Sequence, residues 1–204
     1  MHPRAADVLQ FWFGPDPLGA PLANQPVWFK KDPAFDASLR QRFGEDLQAA
    51  ARGDYEGWTA GEEAPEGTLA LIILLDQFSR NIHRDTPGAF AQDALALGHC
   101  LAGQVAGHDA ALSVVQRWFF YMPMMHAEDL AMQERCVLTF IHLRGEVPPE
   151  DTVLGPMLDT VVQYAEAHRE VIAKYGRFPH RNAILGRDST PEEQAYLDTP
   201  GSGF

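Results

Sequence analysis

Three polar islands in this sequence hold residue types that can do chemistry. The first is Asp76, Gln77, Arg80, Asn81, His83 and Arg84, which come directly after the apolar run Leu69–Leu75. Asp76, Arg80 and Arg84 stand at i, i+4 and i+8, a spacing that lines them along one face of a helix. One carboxylate and two guanidinium groups leave a positive surplus at the rim of a core. Such a surplus suits an anion, because arginine presents a planar fork of donors. A plain i, i+4 salt bridge closing the helix end also accounts for Asp76 and Arg80.

The second island, His168–Arg187, reads HREVIAKYGRFPHRNAILGR. It holds Arg169, Lys174, Arg177, Arg181 and Arg187 against the single acid Glu170, a local surplus of four positive charges in a chain of net charge −12. Pro179 stiffens this stretch, and Phe178, Ile184 and Leu185 can anchor it. His180, Arg181 and Asn182 would then stand on a rigid loop able to read an anion. The third island, Tyr121–Glu134 (YMPMMHAEDLAMQE), offers His126 as a general base or ligand, with Glu128 beside it. Pro123 reads as a break between two helices, which puts Glu128 and Asp129 in the first turn of the second. Acids there complement the helix dipole without any further role.

Other chemistries are excluded by what their motifs lack. The His-x-Glu spacing at His126 is half of the zinc deaminase signature, but its Pro-Cys-x-x-Cys half is missing and Cys136 stands alone. Paired Glu-x-x-His motifs for a di-iron centre are absent, as are the serine-hydrolase elbow, the Walker loop, the dinucleotide fingerprint and His-Glu-x-x-His. No metal and no cofactor is expected. The charge balance, 16 Lys and Arg against 28 Asp and Glu, disfavours nucleic acid and anionic membranes.

The elements that must position these islands are helical. Pro33 comes after Asp32 and opens a helix with Phe35, Leu39, Phe43 and Leu47 on one stripe, closed by Gly53. Thr86-Pro87 predicts a helix running through Gln104 to Gly107, and Asp109 can cap the next one through Phe119. Ala127–Leu143 and Leu154–Tyr175 are the next two, stopped by Gly145 and Gly176. Thr190-Pro191-Glu192-Glu193 is a capping box for a short last helix. Leu69–Phe78 is apolar on nearly every face, and its alanines and leucines favour a fully buried central helix over a strand. The loops fall at 14–25, 57–64, 145–152 and 177–189, none of them a domain linker. The 204 residues thus predict one all-α domain of helical hairpins spanning 1–204. The longest apolar runs, seven or eight residues, fall far below the roughly 18–20 that cross a bilayer. No signal segment is visible and only Cys100 and Cys136 occur, so a cytoplasmic protein is expected.

The stretches Val8–Gly14 (VLQFWFG), Trp28–Asp36 (WFKKDPAFD), Leu71–Arg84 (LIILLDQFSRNIHR), Phe119–Glu134 (FFYMPMMHAEDLAMQE) and Tyr164–Arg187 together resemble the family known as domain of unknown function 924. The resemblance implies an all-helical, tetratricopeptide-like right-handed array, and a family with no assigned activity.

The functional expectation is a groove for a small carboxylate or phosphate. Asp76, Gln77, Arg80, Asn81, Arg84, Tyr121, Arg177, His180, Arg181 and Asn182 would line it, and His126, Glu128 or His168 would supply acid/base chemistry if any reaction occurs. Two alternatives stand beside it. A protein-interaction module would clamp a peptide's terminal carboxylate. In a purely structural network, the charges would only pin helices together.

Overall fold

The computed structural model describes residues 1–14 and 28–203. Capping chemistry sets where the helices begin. α1 (Pro3–Phe13) has proline at its first position and buries Val8, Leu9, Trp12 and Phe13. α2 (Pro33–Ala51) starts at Asp32, whose carboxylate accepts the amides of Ala34 and Phe35 at 2.9 and 3.2 Å. α3 is continuous but has three parts: Ala64–Ile72 is α-helical, Ile73–Phe78 is π-helical, and Ser79–Ile82 returns to α. α4 (Asp93–Ala106) and α5 (Val114–Met125) come next. The last three are α6 (Leu130–Gly145), α7 (Leu154–Tyr175) and the short α8 (Pro191–Leu197).

The apolar run is the buried central helix that its composition predicts. From Leu69 to Leu75 no residue is more than 1% exposed, and α1, α2, α4 and α5 pack around it. Each leucine or isoleucine so enclosed contributes on the order of 1.5–3 kcal/mol. From α5 the array continues outward, α6 packing on α5 and α7 on α6. An aromatic cluster fills the gap between α1, α3 and α5, with Trp28 against Phe119 (4.6 Å between ring centres) and Trp28 Nε1 donating to the Trp12 carbonyl at 2.9 Å. No strand occurs among the described residues, so the fold is all-α. Among them, no helix is long and apolar enough to cross a membrane.

The π-helical part of α3 breaks the regular ladder. There the Ser79 amide reaches back five residues to the Leu74 carbonyl. The Ser79 hydroxyl then donates to the carbonyls of Leu75 and Asp76, at 2.6 and 3.1 Å. Wide turns of this kind are rare and concentrate at functional sites. This one carries Asp76 and Gln77.

Three boundaries differ from the sequence reading, each for a local reason. Pro123 does not break the helix: it lies buried in the last turn of α5, which runs on to Met125 with His126 as its C-cap. Burial of the apolar stretch Trp118–Met125 offsets the one amide donor that proline removes. Asp129, accepting the Met132 amide at 2.8 Å, is therefore the N-cap of α6, and Glu128 lies outside the helix. Pro87 opens only a 3-10 turn, Pro87–Ala89, and α4 starts at Asp93. The Thr86 hydroxyl is turned backward, donating to the His83 carbonyl at 2.7 Å, and makes no capping bond to the turn at Pro87. Likewise Ser113, in a capping box with Gln116, starts α5 in place of Asp109. The expected loop at 14–25 lies, beyond Gly14, outside the described residues.

Candidate functional site

Asp76 sits in the wide turn of α3 with no exposed surface. Its Oδ1 meets His126 Nδ1 at 2.7 Å, and its Oδ2 accepts from Gln77 Nε2 at 2.5 Å. Arg80, one turn on, lies 3.1 Å from Oδ1 and also donates to the Asp76 carbonyl at 2.7 Å. Burial works against the carboxylate charge, but Arg80 and His126 outweigh it and hold the group down at about 2. An ionised carboxylate only accepts, so His126 Nδ1 carries the proton and Nε2 presents a lone pair. The His126 side chain is 11% exposed, at the rim of the interior. Burial, helped by the Arg80 charge, lowers its affinity for a second proton despite Asp76. The imidazole is neutral and oriented.

The chain after α7 supplies the other wall. Gly176 stops α7 in the left-handed region (φ 69°), which a side chain would disfavour. The next turns bury Phe178 completely and carry Arg181 inward. The Arg181 guanidinium lies between the rings of Phe90 and Phe178, 4.5 and 4.6 Å from their centres. It donates to Asp93 Oδ2 and to the His126 carbonyl, both at 3.0 Å, while its buried Nε–H meets no acceptor among the described residues. Asp93, the first residue of α4, also takes Arg80 at 3.1 Å and so ties the two arginines together. His168 donates Nδ1–H to the Tyr164 carbonyl at 2.7 Å, with its ring 6.4 Å from that of His126. Phe178 stands 5.5 Å from both the His168 and His180 rings. Burial, then the neighbouring His126, pushes His168 down to about 3. Burial and Arg181 push His180 down to about 4. Five residues of the three sequence islands, Asp76, Arg80, His126, His168 and Arg181, thus meet around one centre, with His180 beside it.

The remaining candidates lie in separate pairs. Arg84 falls beyond the end of α3, off the face shared by Asp76 and Arg80. It clamps Asp36 of α2 at 2.6 and 2.9 Å, and Asn81 donates to the same carboxylate at 2.8 Å. Arg177 holds Glu193 of α8 at 2.7 and 2.8 Å, with Asn182 3.3 Å away. Tyr121 donates to Asp109 at 2.7 Å on the wall of an open hollow of about 550 Å³ between α4, α5 and α6. Glu128 is not the partner of His126. It accepts the Phe178 amide at 2.7 Å and both ends of Arg187 at 2.7 and 2.9 Å, fastening the loop that carries Arg181.

The positive surplus read on α3 is answered from elsewhere in the chain, by Asp36 and Asp93. Asp93 and Phe90 escape the sequence reading because Thr86-Pro87 assigns them to the interior of a surface helix. Their signal is a ring and an acid three residues apart, the acid at the true helix start. Among the described residues, no group of three His, Cys, Asp or Glu side chains is arranged to hold a metal ion.

No curated protein matches the chain. A solved structure of a protein of unknown function from Agrobacterium tumefaciens is similar over 95% of this chain and 96% of its own, at 40% identity and a TM-score of 0.79. The sequence pattern of a bacterial protein family of unknown function matches residues 8–201. On that nearly complete match, the chain belongs to the bacterial family of unknown function DUF924.

Proposed function

We propose that the Asp76–His126–Arg181 centre binds a small anionic ligand, a carboxylate or phosphate, with His126 as its acid/base group. The observation that carries this reading is the oriented, neutral His126 at the rim, its Nε2 lone pair not engaged by Asp76, beside a buried guanidinium with one unused donor. A buried N–H without an acceptor costs about 1–3 kcal/mol, which a ligand oxygen would recover. Arg181 ties its loop to Asp93 and to the His126 carbonyl, and a site bounded in this way suits a small molecule better than a peptide. Arg84 with Asp36 and Arg177 with Glu193 then serve as fasteners around the site. No nucleic acid or membrane partner fits this acidic chain, and the two buried free thiols suit a cytoplasmic setting.

The ion pairs of Arg80 and Arg181 with Asp76 and Asp93 favour a second reading, a network that only pins helices. Thermal shifts with small carboxylates and phosphates, alongside Arg80→Ala, separate the two. The anion reading expects saturable stabilisation of the wild type, lost in the variant. A variant that loses about 3–5 kcal/mol, with no ligand response in the wild type, supports the network instead.

A further inference from the structure

Taking the anion site as read, we infer that its ligand enters together with one proton, and that His126 Nε2 receives it. The reason is a charge balance around one ring. Facing His126 are Asp76 and Arg80 from α3, Asp93 from α4, His168 from α7, and Arg181 and His180 from the loop after α7. Glu128, two residues on, is turned away and occupied by Arg187 and the Phe178 amide. With the imidazoles neutral, two guanidinium groups stand against two carboxylates, so the centre by itself has no net charge. An anion arriving there adds uncompensated charge to a chain already at −12. It also meets a lone pair on His126 Nε2, because Nδ1–H is committed to Asp76.

One proton on Nε2 removes both obstacles. It turns the lone pair into a charge-assisted donor and cancels one negative charge. His126 is better placed for it than His168, because its other nitrogen already rests on a carboxylate that stabilises the imidazolium, whereas His168 rests on a neutral carbonyl. Arg80 and burial resist protonation of the ring, so the anion is what tips the balance. The ligand class is therefore a small oxyanion, bound more tightly as pH falls. The proton goes from solvent to Nε2, and no bond other than N–H forms.

The test is isothermal titration of the whole protein with sodium sulfate, whose charge is constant from about pH 6 to about pH 8, in two buffers of different ionisation enthalpy. The expected result is uptake of about one proton per sulfate and an affinity that falls up to about tenfold per pH unit as pH rises. In His126→Gln, uptake vanishes and the pH dependence flattens. Sulfate binding without proton uptake in the wild type overturns the inference and leaves the anion site standing. Uptake that persists in His126→Gln overturns the assignment to His126. No saturable binding of sulfate or acetate at any pH, or binding unaffected by Arg181→Met, overturns the site itself and the inference with it.

Discussion

Asp76 and the three histidines make the centre a pH-sensitive part of the protein's stability, in two separate windows. Asp76 ionises at about 2 in the folded chain against an ordinary 3.8. Its contribution is fully present above 3.8 and disappears as pH falls through 2. The histidines act earlier. His168 and His180 are lowered from 6.5 to about 3 and about 4, and His126 is lowered as well. Between those values and 6.5 the unfolded chain binds more protons than the folded one, so stability declines as pH drops below 6.5. Each histidine contributes up to about 1.4 kcal/mol per pH unit in that window. Urea unfolding between about pH 7 and about pH 4.5 should show a slope steeper than one histidine can produce, and His168→Gln should reduce it. An unchanged slope in that variant would remove His168 from this account.

At the scale of elements, two devices hold the centre together: the wide turn of α3 and the strap of residues 177–187. The strap hangs on Glu128, so Glu128→Gln should speed amide exchange across 177–187 while leaving α3 and α5 as protected as before. Equal exchange in the strap would mean that Arg181 and Phe178 suffice to hold it. Gly176 is the other fixture. With φ at 69°, Gly176→Ala should cost roughly 1–2 kcal/mol by chemical denaturation. The sequence made the framework legible where one local rule decides: the apolar run of α3, the glycine stop of α7, the box that starts α8. It hid features set by competition between rules. Pro123 stays helical because burial around it outweighs one lost donor. Thr86 fails as a cap because its hydroxyl turns backward to His83. The histidines and arginines of the centre were visible as types, while Asp93 and Phe90, which lock Arg181 in place, depend on a helix start that propensity alone misplaces. Nothing in the residue pattern announces the π-helical turn.

At the scale of the molecule, charge and chain order both count. A net charge of −12 repels itself over the surface, and added salt screens that repulsion, shortening its range from about 30 Å at 0.01 M to about 8 Å at 0.15 M. The pairs at Asp76 and Arg181 are too deeply enclosed to be screened equally. Moderate sodium chloride at about pH 7 should therefore raise the unfolding midpoint. A fall would mean that exposed ion pairs such as Lys31–Asp85 matter more than the net charge. The contacts of the centre also span long stretches of sequence, 50 residues from Asp76 to His126 and 88 from Asp93 to Arg181. Contacts that close such long loops form late, after the local helical pairs have already collapsed. A chain emerging from the ribosome would complete α3 and α5 well before the strap carrying Arg181 could reach them. The centre thus marks a late stage of folding, and a chain in which it has formed is one whose residues 177–187 have already left the ribosome.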